Sequence, residues 1–286
     1  MNGIVIIDKP AGWTSQDVVS KLRGVLHTKR IGHGGTLDPM ATGVLPVFVG
    51  RATRGVEFFE HAVKTYEAVL RLGVTTDTED ITGNILKTCE VQISEQEFLS
   101  VLDQFRGEIQ QIPPMYSALK MNGQKLCDLA RKGKEVERKP RTITIFKLEC
   151  TEFTGQTARL TVTCSKGTYI RTLCKDIGDA LGCGGCMDSL RRTAAGAYTI
   201  AEAVPLAQLV ESDDPERYLR PVDTMFAEHD AVTLTDKQAL RCRNGNSFSI
   251  GLADGTYRAY DDAGEFLMLA KVESGIMSTI KSFFEV

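Results

Sequence analysis

The tightest conformational constraint in this chain is the stretch GHGGTLDPMATG, residues 32–43, where four glycines, a histidine and an Asp-Pro pair share twelve positions. Glycine is costly to order and Pro39 breaks any helix interior, so these residues suit a tight turn. The simplest reading of Asp38-Pro39 is a helix start. Aspartate accepts hydrogen bonds from orphan amides as an N-cap, and proline has no donor to leave unsatisfied. A second reading is chemical: glycines at 32, 34 and 35 let a bulky planar group approach the backbone beside one aimed carboxylate.

A length of 286 residues allows one large domain or two, and 42% hydrophobic with 25% charged residues is ordinary for a globular protein with an adequate core. No apolar run reaches 18 residues, so no membrane span is expected. The opening MNGIVIIDKP lacks the pattern of a signal peptide, and a cytoplasmic location is the expectation. Eight cysteines then read as reduced thiols. Cys183 and Cys186 form a C-x-x-C, but no second one follows, and His27, His33, His61 and His229 lack ligand spacing. No metal or redox site is expected there.

The net charge of -3 argues mildly against a polyanionic partner, but it averages over a gradient. Between Leu119 and Arg141 lie Lys120, Lys125, Arg131, Lys132, Lys134, Arg138, Lys139 and Arg141, against Asp128, Glu135 and Glu137. That segment carries a local charge of +5, and local potential is what attracts nucleic acid. A solvated helix face is the plain alternative.

GIVIIDKP opens as a buried strand, and Thr14 starts a helix with Asp17 at the capping-box position and Val18, Leu22, Val25 and Leu26 on one face. VLPVFVG (44–50) and YEAVLRLG (66–73) read as strands, SEQEFLSVLDQF (94–105) as a capped helix, 141–153 with 157–164 as paired strands, and 168–182 as an amphipathic helix. Helices and strands mingle without regular alternation, which predicts an α+β fold around a mixed sheet. Beyond about residue 229, turn signals at Asp254-Gly255 and Ala263-Gly264 separate short alternating runs and predict a small β-barrel.

Familiar sites are excluded: there is no G-K-[ST] after the glycines, Leu37 replaces the last glycine of a dinucleotide fingerprint, and G-x-S-x-G and H-E-x-x-H are missing. What remains is a carboxylate in a tight turn, aromatic residues and scattered arginines. A lone aspartate can serve as nucleophile or general base, an arginine against it keeps it ionised, and an aromatic ring can cover a flat base. Such a set suits chemistry on a nucleotide swung out of its stack.

NGIVIIDKPAGWTS, RIGHGGTLDPMATGVLPV, KTYEAVLRLGVTTDT, QIPPMYSALKMNGQKL, SKGTYIRTLCKDIG and LRRTAAG occur in the order found in the TruB family of tRNA pseudouridine synthases, which the chain resembles from residue 2 to about 200. The resemblance implies a pseudouridine synthase fold with a mixed, mainly antiparallel sheet over residues 1–228, including an RNA-clamping insertion at about 112–141. It also implies a PUA-like RNA-binding barrel over 229–286. The implied reaction converts uridine 55 in the T loop of tRNA to pseudouridine without metal or cofactor.

Asp38 falls on the family's catalytic aspartate, either attacking C1′ or removing a ribose proton. Arg171 falls on the arginine that pairs with it, and Tyr66 on the tyrosine stacked on the target base. His33 falls on the histidine holding the flipped loop, Gly34 beside it on the same substrate-facing turn. Tyr169 and Leu190 fall on substrate-contacting positions, and Lys9 on a lysine near the pocket. Lys120, Arg131 and Lys132 belong to the segment that closes over RNA. The resemblance further implies a monomer that needs no guide RNA and no membrane. Two rivals are a tRNA-folding chaperone whose catalysis is secondary and a guide-RNA-dependent synthase; the long insertion tells against the latter.

Overall fold

The computed structural model describes residues 1–121 and 123–285, and by contact it divides into two compact units. One holds Met1–Asp38, Leu45–Glu60 and the chain from Ala201 on; the other holds Pro39–Val44 and His61–Ile200.

The first unit opens with β1 (Gly3–Lys9), an apolar run buried on both faces. Helix α1 (Ser15–Val25) follows, begun by the predicted capping box: the Thr14 hydroxyl accepts from the Asp17 amide and the Asp17 carboxylate accepts from the Thr14 amide. Its Val18, Val19 and Leu22 are buried, as is Leu26 just beyond. Next come β2 (Ile31–His33), β3 (Thr42–Val49) and the single-turn α2 (Val56–Phe59). Residues 42–44 of β3 belong to the second unit.

Asp38-Pro39 starts no helix. Pro39 and Met40 form a turn and the chain is a strand from Thr42. The N-cap reading is thereby corrected: the apolar run after the turn finds strand partners, Ile31–His33 antiparallel and residues 191–192 parallel, and cross-strand bonds outweigh a local cap.

The second unit contains β4 (Lys64–Leu72), β5 (Val74–Thr76), β6 (Ile85–Thr88), α3 (Glu95–Leu102), β7 (Gly107–Gln111), β8 (Lys120–Met121), β9 (Gln124–Lys125), α4 (Leu126–Ala130), β10 (Arg141–Phe153), β11 (Thr157–Cys164), α5 (Ile170–Ala180), β12 (Gly185–Ala195) and β13 (Tyr198–Thr199). Its strands run in the order β3-β12-β4-β11-β10-β7, antiparallel except that β12 meets the start of β3 in parallel. β4 alternates strictly enough to bury Tyr66, Ala68, Leu70 and Leu72 on one face. β12 and β7 carried no clear sequence signal; the first is broken by register shifts at Met187/Ser189 and Arg192/Ala194, which spoil its alternation.

Back in the first unit, β14 (Val204–Pro205) pairs with β1 in parallel and leads to α6 (Leu206–Val210). β15 (Asp230–Thr233), α7 (Asp236–Arg243), β16 (Phe248–Ser249), β17 (Gly255–Tyr260), β18 (Phe266–Glu273) and β19 (Ile276–Ser282) form a five-stranded sheet in the order β15-β17-β18-β19-β16. Ladder irregularities at Ala259/Tyr260 and Leu269/Ala270 curl it around Leu234, Phe248, Leu267, Met268 and Phe284. The Ala263-Gly264 turn joins β17 to β18 as read from the sequence, Gly264 at φ 81°. Asp254-Gly255 is not a hairpin tip: β16 pairs with β19 instead of β17, and the Asp254 carboxylate accepts from the Ser274 amide at 2.8 Å.

Candidate active site

In the first unit, glycine chemistry shapes the turn before Asp38. Gly34 donates its amide to the Pro46 carbonyl at 2.9 Å, and a Cβ there would meet Phe59 at 2.6 Å and Phe48 at 3.0 Å. Only glycine lets the chain lie against that edge-to-face ring pair. Gly35 follows at φ 106°, a conformation L side chains rarely adopt. Leu37 is buried, and the Ser15 hydroxyl takes both its amide, at 2.8 Å, and its carbonyl, at 3.2 Å. The residue immediately ahead of Asp38 is thus fixed to the start of α1, while Asp38 itself is half-buried. His33 ends β2 opposite Val47 and is half-buried as well. Lys9 is fully buried; its ammonium donates to the carbonyls of Pro10 at 2.8 Å and Trp13 at 2.6 Å, which pins the loop into α1.

The second unit gathers Tyr66, Leu190, Tyr169 and Arg171. Tyr66 lies between Val162 on β11 and Arg192 on β12, and Leu190 lies opposite Ala68. By the period of two, Tyr66, Leu190 and Arg192 share a face, Tyr66 and Leu190 as diagonal neighbours. Both are nearly buried, at 9% and 8% exposure. Arg192 is 1% exposed and donates Nε to the Val44 carbonyl at 2.7 Å. Its register partner is Gly43, at φ 99°. The ATG that follows Asp38-Pro39-Met40 therefore splices the turn onto β12, and the missing side chain at 43 lets the Arg192 backbone approach.

Arg171 stands in the first turn of α5, where a cation opposes the macrodipole, yet it is only 5% exposed. Neutral and acidic oxygens hold it: Nη1 donates to the Thr78 carbonyl at 3.0 Å, Nη2 to the Tyr116 carbonyl at 2.8 Å, and Nε lies 3.9 Å from Asp80 Oδ2. Asp80 is itself buried and oriented by the Thr78 hydroxyl at 2.9 Å and the Thr82 amide at 3.0 Å. Five donors in a rigid plane, met by fixed acceptors, give this guanidinium one aim. Next to it, burial raises the Glu79 carboxyl above its ordinary range, against the opposing Thr172 hydroxyl at 2.6 Å.

The basic segment is an excursion from the sheet, with the short β8–β9 hairpin and α4. Lys120, Arg131 and Lys132 are all exposed; Lys120 faces Lys125 across the hairpin, and Arg131 lies 3.6 Å from Asp128. All eight cysteines are free thiols. Cys183 and Cys186 are buried, and burial pushes the Cys186 thiol up to about 11, which suits packing rather than redox work. Among the described residues, no three or more His, Cys, Asp or Glu side chains are grouped to hold a metal ion, and no helix is long and apolar enough to cross a membrane.

The description "TruB family pseudouridylate synthase (N terminal domain)" matches residues 23–170, and "tRNA pseudouridylate synthase B C-terminal domain" matches 171–227. The chain belongs to the TruB family. It is 43% identical to the tRNA pseudouridine synthase B of Pseudomonas fluorescens, over 95% of this chain and 92% of that one. It is 42% identical to that of Clostridium kluyveri, over 99% of this chain and all of the other. Among solved structures it is similar to a chain of a Cbf5-Nop10-Gar1 complex, with a TM-score of 0.73 and 27% identity over 99% of this chain and 85% of that one. The α+β synthase fold expected from the family motifs is the fold found, and the small β-barrel expected from the turn signals beyond residue 229 is a curled five-stranded sheet.

Sequence reading missed Asp80, Arg192 and the buried Gln111. Asp80 sits in TTDTEDITG, an Asp/Thr cluster typical of loops that hydrogen-bond themselves, and that signal was available. Nothing local marked Arg192 or Gln111, whose partners come from residues 44 and 169.

Proposed function

We propose that this protein isomerises uridine 55 in the T loop of tRNA to pseudouridine, with Asp38, Tyr66 and Arg171 as the catalytic group. The reaction is balanced within one nucleotide. The bond from N1 of uracil to C1′ breaks, a bond from C5 to the same C1′ forms, and the C5 proton ends on nitrogen. No external electron or group is required, so protein side chains suffice.

Asp38 serves as nucleophile at C1′ or as base on the ribose. Arg171 is assigned to pair with that carboxylate and steer it through its rigid guanidinium plane. Tyr66, on a buried face with Leu190, offers a flat apolar wall to the base after it leaves its stack, a step that costs a few kcal/mol of unstacking. The observation that carries the reading is the burial of Arg171, at 5% exposure, with its guanidinium fixed by Thr78, Tyr116 and Asp80 in a position where the helix dipole alone would disfavour it.

His33 and Gly34 are assigned to the turn that receives the flipped strand, Tyr169 to the rim of the substrate site and Lys9 to bracing beside it. Lys120, Arg131 and Lys132 are assigned to backbone phosphates. Residues 229–286 are assigned as a PUA-like RNA-binding domain, and 1–228 as the catalytic domain. The protein is assigned to the cytoplasm as a monomer that needs no guide RNA; near-full-length similarity to enzymes named for tRNA supports the tRNA substrate.

The test is pseudouridine mapping on an unmodified tRNA transcript. Wild type should modify one T-loop uridine, and Asp38→Ala should yield no product while still binding tRNA. Full activity in Asp38→Ala would remove the assignment.

A further inference from the structure

The basic arm leaves the second unit's sheet and returns to it at a single point, because Gln111, the last residue of β7, is the register partner of Arg141, the first of β10. β7 ends the strand path, so its side chains can reach elements outside the ladder. Gln111 does so. It is 2% exposed; its Oε1 accepts from the Tyr169 amide at 2.8 Å, and its Nε2 donates to the Tyr169 carbonyl at 3.1 Å. A primary amide presents one acceptor and one donor side by side, as a neighbouring strand's backbone would. Tyr169 is the N-cap of α5, and Arg171 stands two residues on.

The same stretch touches Arg171 again, through the Tyr116 carbonyl at 2.8 Å from Nη2. Between the two contacts lie Pro113 and Pro114, both buried, with φ fixed by their rings. The returning limb grips this link, since Arg138 donates Nη1 to the Pro113 carbonyl at 3.1 Å. A displacement of the arm therefore passes through a stiff connection to both the helix cap and the guanidinium.

We propose that Gln111 is a positioning residue which, with the Tyr116 carbonyl, couples the seating of the basic arm on RNA to the alignment of Arg171. This rests on the assignment of Arg171 given above. The arm is then more than a grip: its placement sets the direction of the group that steers the catalytic carboxylate.

The test compares full-length wild type, Gln111→Met, Gln111→Glu and Arg171→Lys on a tRNA transcript, by single-turnover rate at saturating enzyme and by tRNA Kd. Gln111→Met removes both bonds at nearly constant size. It should lower the saturating rate by roughly tenfold to 100-fold while Kd changes less than about threefold, because a misaimed group costs rate rather than uniform binding. In Gln111→Glu the protonated acid again offers one donor and one acceptor, whereas the carboxylate offers none to the Tyr169 carbonyl. Its rate relative to wild type should rise as pH falls.

A saturating rate for Gln111→Met within about twofold of wild type, with Arg171→Lys inactive, overturns the coupling and leaves the site assignment standing. Full activity in Arg171→Lys overturns both. Should Gln111→Met fail to fold, a Gln111→Glu ratio that stays flat with pH overturns the coupling by itself.

Discussion

Replacing Gly43 by alanine tests how the start of β3, after the Pro39-Met40 turn, is joined to β12. Gly43 has φ 99°, and a Cβ there would lie 2.9 Å from both the nitrogen and the carbonyl carbon of Arg192, and closer to its oxygen. A left-handed conformation costs an L-residue about 1–2 kcal/mol, partly offset by about 0.4–1 kcal/mol from a stiffer unfolded chain. Gly155, at the tip of the β10–β11 hairpin, has φ 86° and nothing within 4 Å of its would-be Cβ. Gly155→Ala thus shares both of those terms and lacks the collision.

The difference between the two variants isolates the clash, which involves backbone atoms that cannot rotate away; overpacking of this kind costs about 1–3 kcal/mol. At roughly 2–4 °C per kcal/mol for a chain of this size, Gly43→Ala should melt roughly 2–12 °C below Gly155→Ala in calorimetry. Its turnover should also fall, since Arg192 lies in register with Tyr66. Equal melting temperatures would show that the strands separate without cost and that the splice is not what holds the turn.

Glu79→Gln should raise the melting temperature at neutral pH and leave it unchanged below about pH 4. Burial lifts the folded-state pKa above 4.5 despite Thr172, Lys175 and Arg171, with Asp176 adding to the lift, so ionisation penalises the fold as pH rises past the ordinary range. A gain independent of pH would exclude this. In brief iodoacetamide labelling read by mass spectrometry, exposed Cys89 should react well before Cys186 and Cys242, whose burial holds their thiols at about 11; equal rates would contradict it. Lys132→Ser should weaken tRNA binding and reduce the slope of log Kd against log salt by about one, and an unchanged slope would remove its phosphate contact.

Elements whose causes lie within a few residues were legible. The capping boxes at Thr14–Asp17 and Ser94–Glu97 start α1 and α3 where the pattern placed them, and the strands 141–153 and 157–164 pair as read. The family motifs pointed to Asp38, Tyr66 and Arg171. They gave no hint that Arg171 is cradled by Thr78, Asp80 and Tyr116, because those oxygens arrive from 93, 91 and 55 positions away in sequence.

Asp38-Pro39 shows the division most clearly. Composition alone determined that residues 32–43 turn, since glycine and proline act through their own backbone torsions. Whether the turn fed a helix or a strand was decided by partners: Gly43 and Thr42 bond alongside Arg192 and Arg191, 149 residues later. Local sterics are written at each position, whereas a hydrogen bond or a buried charge depends on a second group that only the folded chain brings near. That is why the sequence determined the turn, the caps and the chemistry on offer, and the tertiary structure decided which strand follows the turn and which oxygens hold Arg171.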